Sequence, residues 1–175
     1  MGDVLTVLPF SNILVTIELT GAELLSILEH GISQYPEPVG QHIQVSGISF
    51  AFDPNAEPGG RVKQLIMADG GGFDLNKTYT VATIEFLAAG GDGYASMLED
   101  GRSIIYYGSD AEALVEYIKT APVIQNEAEG RVSVFTDETG NNSNTILWLS
   151  IGGTVLLVAT GIFFVIKYKI KGNVM

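Results

Sequence analysis

The sequence predicts an α+β domain with a mixed or antiparallel sheet and two main helices, followed by one C-terminal transmembrane helix. Three observations point there. Short apolar or alternating runs of strand character recur along the chain, and two of them flank the turn-rich stretch Asn55–Gly60 as a hairpin would. Two helix starts, Thr20 with Glu23 and Ser109 with Glu112, have capping-box spacing, and each follows a strand. Finally, the 22 residues from Thr145 to Ile166 carry no charge. At ~1.5 Å per residue a helix of that length spans a hydrocarbon core of ~30 Å.

Taken in order, the opening segment "GDVLTVLPF" has neither a basic start nor a long apolar core, so it is not a secretory signal. Its Met-Gly start with Thr6 matches an N-myristoylation pattern only weakly, and the segment reads as a buried strand. Asn12–Leu19 is a strand. The cap at Thr20 opens a helix whose apolar face is Leu24, Leu25, Ile27 and Leu28, stopping at Gly31 as a C′-type glycine. His42–Asp53 is a strand, with Gly47 a bulge or close approach and Pro54 its end. Arg61–Ala68 completes the hairpin, and Lys77–Phe86 is a further strand. Arg102–Gly108 is a short strand, the helix capped at Ser109 runs to about Thr120, and Gly130–Asp137 is the last strand. The order β-α-β-β-β-β-α-β belongs to the α+β class.

This places a folded domain over 1–136, a polar linker over 137–144, the transmembrane helix over 145–166 and a short tail over 167–175. Trp148 and Tyr168 sit near the two ends of the apolar run as interfacial aromatics would, and Lys167, Lys169 and Lys171 follow it. By the positive-inside tendency the C-terminus is cytoplasmic and the N-terminal domain extracytoplasmic. No LPxTG-like sorting signal precedes the run, so the helix is expected to be retained.

Composition excludes several functions. The chain has 20 acidic and 9 basic residues, and all the acids lie at or before Glu138. Three of the basic residues follow the apolar run, which leaves the rest of the chain with a formal charge of −14. A nucleic-acid track needs a basic stripe instead. With no cysteine there is no disulfide, thiolate zinc site or cysteine nucleophile. The two histidines, His30 and His42, are too few for a dinuclear metal site, and His30 suits a helix's last turn. No serine–histidine–aspartate order, H-E-x-x-H or phosphate-binding glycine loop appears.

What remains is a pair of aromatics where strands end. "VLPFSN" puts Phe10 after a proline with Asn12 close behind, and "EFLAAGGDGY" puts Phe86 ahead of Gly90, Gly91, Asp92 and Gly93. The plainer account makes both phenylalanines core residues and the polar residues turn formers, and taken alone it stands ahead. The other account makes these loops a place where something docks.

Four stretches, "GDVLTVLPFSN", "LTGAELLSILEHG", "QVSGISFAFDP" and "KTYTVATIEFLAAGGDGY", resemble the C-terminal domain of the 5′-nucleotidase family, in the family's order and over roughly 2–136. That family also includes UDP-sugar hydrolases and cyclic-nucleotide phosphodiesterases. The resemblance implies the substrate-specificity half of a two-domain hydrolase, with Phe10 and Phe86 sandwiching the nucleobase. It further implies base-edge and ribose contacts from Asn12 and Asp92, with Ala88–Gly91 letting backbone approach the ligand and Tyr94 packing to fix the loop. The family's metallophosphoesterase half, with its pair of divalent metals and catalytic His-Asp pair, is not in these residues. Arg61, Arg102 and Arg131 do not match the family's substrate-holding arginines.

The expectation is therefore the nucleoside- or nucleotide-binding half of a membrane-anchored 5′-nucleotidase-type hydrolase, inactive alone. Its partners are the metallophosphoesterase domain in cis or in trans, and the membrane. The alternative is a non-enzymatic extracytoplasmic module that binds a nucleoside or a protein, and a third reading is a decayed reading frame. The lack of a signal peptide weighs toward a fragment.

Overall fold

The fold was obtained as a computed structural model, which describes residues 2–95, 97–98, 102–120 and 128–136. Its spine is strand β1 (Ile13–Thr20), whose Val15, Ile17 and Leu19 are buried in strict alternation. The antiparallel strands β4 (Thr78–Ile84) and β5 (Ile104–Ser109) pair with β1 on either side, giving a sheet of order β4-β1-β5. A second three-stranded sheet has β2 (Ile48–Phe52) at its centre. Here β3 (Val62–Met67) runs antiparallel to β2, and β6 (Val132–Val134) runs parallel to it.

Helix α2 (Gly21–Gly31) links the two sheets. Thr20 Oγ1 accepts from the Glu23 amide at 3.3 Å and Glu23 Oε2 accepts from the Thr20 amide at 2.7 Å, so the capping box forms as expected. Leu24, Ile27 and Leu28 of α2 join the inward residues of both sheets in one hydrophobic cluster. At the other end of α2 the buried Glu29 carboxylate accepts the amides of Arg61 and Val62 at 2.9 and 2.8 Å. Arg61 in turn donates through Nη1 to the carbonyls of Ile32, Ser33 and Tyr35, in the turns that follow the helix. Helix α4 (Asp110–Thr120) starts at the second capping box, with Glu112 N–H to Ser109 Oγ at 3.2 Å and Ser109 N–H to Glu112 Oε2 at 3.0 Å.

The strand order, the hairpin and the two main helices stand as expected, but several details do not. Instead of one sheet there are two, because the β2–β3 hairpin pairs with β6 and not with β1, β4 or β5. The opening segment is a helix, α1 (Gly2–Val7), against α4, with Leu5 and Val7 exposed. Val4, Leu5, Val7 and Leu8 suit helical spacing as well as a buried strand, and local bonds such as Leu8 N–H to Val4 O at 2.8 Å decide the matter. His42–Ser46 lies outside β2, which begins after Gly47 in a left-handed conformation (φ 79°). Gly31 is the last helical residue, not a left-handed C′ glycine. It is required for space, since a Cβ there would come within 2.7 Å of the Ile43 side chain and 2.9 Å of Tyr94 Oη. Among the described residues no helix is long and apolar enough to cross a membrane, and the expected span 145–166 lies outside them.

Candidate functional site

The register of the first sheet gathers the predicted residues at one end. Leu14 pairs with Ile84 and Ile13 with Ser109. The loop entering β1, the segment leaving β4 and the start of α4 therefore share that sheet end. Phe10 and Asn12 are on the first, Phe86 and Asp92 on the second.

Both phenylalanines are exposed, Phe10 by 73% and Phe86 by 51%, which overturns the account that made them core residues. Phe10 lies in the turn after α1, and Ser11 beside it is left-handed at φ 51°. Phe86 is not at a strand end but on α3 (Glu85–Ala88), a single helical turn closed by Ala89 N–H to Glu85 O at 2.8 Å. Leu87 and Ala88 take the inward positions of that turn and are buried, leaving Phe86 facing outward.

The glycines after it have separate duties. Gly90 (φ 98°) and Gly93 (φ 76°) are left-handed, as is Asp92 between them (φ 52°). Glycine adopts that region freely, and aspartate tolerates it better than most residues. Gly91 has no such φ; a Cβ on it would overlap the Phe86 ring. The small side chains thus make room for the Phe86 ring and for buried packing at Ala88.

Asp92 is exposed, and its carboxylate makes no hydrogen bond among the described residues. Its backbone carbonyl accepts from His30 Nε2 at 3.1 Å, tying the loop to α2. Tyr94 buries its ring edge-on against His30, with centroids 4.5 Å apart, and its hydroxyl donates to Gln41 O at 2.7 Å. Burial, and secondarily the Asp92 charge, push the Tyr94 hydroxyl well above the usual phenol range. Tyr94 is therefore a packing residue, as expected, and His30 in the last turn of α2 packs against it.

Asn12 is half-buried. Its Nδ2 donates to Asp110 Oδ2 at 3.1 Å, while its backbone carbonyl accepts the Asp110 amide at 2.9 Å. Asp110 was missed as part of the site because "SDAE" reads completely as a helix cap. None of the three arginines is near these groups: Arg61 donates to the turns after α2, Arg102 pairs with Glu23 at 2.5 Å, and Arg131 pairs with Glu129 at 2.6 Å. Among the described residues no group of three or more His, Asp or Glu side chains could hold a metal ion.

The model of the 5′-nucleotidase C-terminal domain matches residues 1–100. The chain belongs to this family. It is 35% identical over 139 residues to the trifunctional nucleotide phosphoesterase protein YfkN of Bacillus subtilis (strain 168), covering 75% of this chain and 9% of that protein. With the 5′-nucleotidase of Diplobatis ommata it shares 33% identity over 140 residues, covering 75% of this chain and 24% of that protein. The solved structure of the 5′-nucleotidase precursor from Thermus thermophilus superimposes with a TM-score of 0.71 at 38% identity, covering 78% of this chain and 28% of that one. As a 5′-nucleotidase C-terminal domain, the chain thus spans well under half the length of each of these proteins.

Proposed function

We propose that this domain holds the nucleoside part of a nucleotide for a 5′-nucleotidase-type hydrolase, with Phe10 and Phe86 stacking on the two faces of the base. The observation that carries this reading is the pair of exposed aromatic rings at one sheet end. An exposed phenylalanine gains little from its own fold, whereas a base stacked on a ring is worth ~1–3 kcal/mol and tolerates any base, since each has a π-face. The Asn12 side chain meets the base edge. The Asp92 carboxylate accepts hydrogen bonds from the paired ribose hydroxyls, as carboxylate oxygens do.

Phosphoester cleavage falls to a metallophosphoesterase half, in the same polypeptide or a separate one, whose pair of divalent metals would supply the hydrolytic chemistry. These residues position the nucleoside and hydrolyse nothing alone. Ile105 and Tyr107, which share one face of β5, and Tyr117 and Ile118 on α4 are exposed and offer apolar surface for contact with that half. Residues 145–166 anchor the chain in a membrane, with the folded domain extracytoplasmic and residues 167–175 cytoplasmic.

Calorimetry of the full chain in detergent micelles with adenosine tests the base clamp. Phe10→Ala and Phe86→Ala should each weaken binding by roughly 5- to 150-fold, the factor equivalent to one stacked face. Equal heats from all three proteins would sink the assignment. Mixing the chain with a purified metallophosphoesterase half and assaying phosphate release from AMP tests the division of labour.

A further inference from the structure

The base clamp leaves one polar pairing unaccounted for. Asp110 begins α4, far from Asn12 in sequence, yet it meets Asn12 at two points: Asp110 N–H to Asn12 O at 2.9 Å, and Asn12 Nδ2 to Asp110 Oδ2 at 3.1 Å. The second carboxylate oxygen, Oδ1, accepts the Ala111 amide at 2.7 Å. Both oxygens of the Asp110 carboxylate therefore face N–H donors at the start of α4. An ionised carboxylate only accepts hydrogen bonds, so the end of the Asn12 amide that faces it must be the NH2 group. Asn12 Oδ1 is then directed away from Asp110 and makes no hydrogen bond among the described residues.

A side-chain amide left to itself can flip, offering a donor or an acceptor to a ligand at equal cost. Here one of the two orientations would place Oδ1 against a carboxylate oxygen, two acceptors with no proton between them. The neighbouring Ser11, left-handed at φ 51°, and the backbone bond to Asp110 fix the main chain at the same point. Main chain and amide are both set before a ligand arrives.

From this, and resting on the base-clamp reading, we propose that Asp110 is a positioning residue for base recognition. It locks the Asn12 amide with its carbonyl oxygen outward, so that the site selects a nucleobase whose edge offers an N–H donor. Stacking is indifferent to the base; the locked amide adds a requirement that stacking cannot impose.

The test uses adenosine, whose base carries an exocyclic amine, and purine riboside, whose base has no N–H, titrated calorimetrically into the full chain in detergent micelles. The unaltered chain should bind adenosine roughly 2- to 10-fold more tightly than purine riboside, the range for one net hydrogen bond. In Asp110→Asn either amide orientation finds a partner, so that preference should shrink toward one while purine riboside binding holds. The double variant Asn12→Asp/Asp110→Asn restores a donor facing an acceptor, with an acceptor again outward, and should regain the preference. A purely structural role for Asp110 would shift affinity for both ligands together.

If Asp110→Asn does not fold, the double variant carries the test, and its failure to prefer adenosine overturns the proposal. Retention of the full preference by Asp110→Asn also overturns it. The reading beneath it fails separately: if Phe10→Ala and Phe86→Ala leave purine riboside binding unchanged, the clamp is wrong and the role of Asp110 falls with it. If those variants weaken purine riboside binding while Asp110→Asn keeps its preference, only the role of Asp110 is lost.

Discussion

Gly91→Ala is expected to damage nucleoside binding without unfolding the domain. A Cβ at this position overlaps Phe86 Cε1 and lies 2.5 Å from Cζ and 2.6 Å from Cδ1. Carbon atoms in contact sit ~3.5–4.0 Å apart, so the ring must move by about 1 Å or swing to another rotamer. Two things limit the structural cost. Gly91 does not occupy the left-handed region, so alanine meets no backbone strain there, and Phe86 is half exposed, so its displacement opens no buried cavity. Binding is a different matter, because the displaced ring is one face of the clamp. Losing that face removes ~1–3 kcal/mol, a weakening of roughly 5- to 150-fold. Adenosine titration should register this change while the melting temperature moves by only a few degrees, as about 0.5 kcal/mol of surface perturbation would produce. Unchanged affinity in Gly91→Ala would refute the reasoning, because the ring would then be either already mobile or not in contact with the base.

Other perturbations separate the scaffold from the site. Thr20→Ala removes the capping-box hydroxyl that accepts from Glu23 and should cost about 1 kcal/mol in chemical denaturation, with adenosine affinity retained. Gly31→Ala drives a methyl into Ile43 and Tyr94 Oη and should cost about 1–3 kcal/mol by overpacking; because Tyr94 supports the Asp92 loop, adenosine affinity should fall too. The hydrogen bond from Arg102 holds the Glu23 carboxyl down from 4.5 to about 2. Its folded value is the lower one, so the pair adds stability above pH 4.5, and that contribution fades as pH drops from there toward 2. Glu23 remains partly exposed, so the contribution is at most about 1 kcal/mol. Denaturation midpoints of Glu23→Gln should therefore fall below those of the unaltered chain at pH 6 and converge with them near pH 2.

Local signals in the sequence were legible to the degree that their physics is local. Both capping boxes formed at the indicated residues, because an N-cap is settled by side chains three positions apart. The hairpin around Asn55–Gly60 and the alternation in β1 were equally readable. In the opening segment periodicity failed, since a short apolar run fits a helix and a strand alike and only the finished bonds choose. The pairing of β6 with β2 was invisible because it joins residues about eighty positions apart with no turn between them to announce it. At the site, "VATIEFLAAGG" reads as a strand running into a loop, yet a single helical turn rotates Phe86 outward after Ile84. Asp110 escaped notice because its partner is 98 residues away and its own neighbourhood was already explained as a cap.

The central claim is that Phe10 and Phe86 enclose a base between them, and ring-current shifts report that arrangement most directly. On titration of the full chain in detergent micelles into adenosine, the resonances of the two carbon-bound protons of the adenine ring should both move upfield, because each proton lies over an aromatic face. Phe10→Ala and Phe86→Ala should each reduce that movement, and the double variant should abolish it. Upfield shifts that persist undiminished in the double variant would contradict the account.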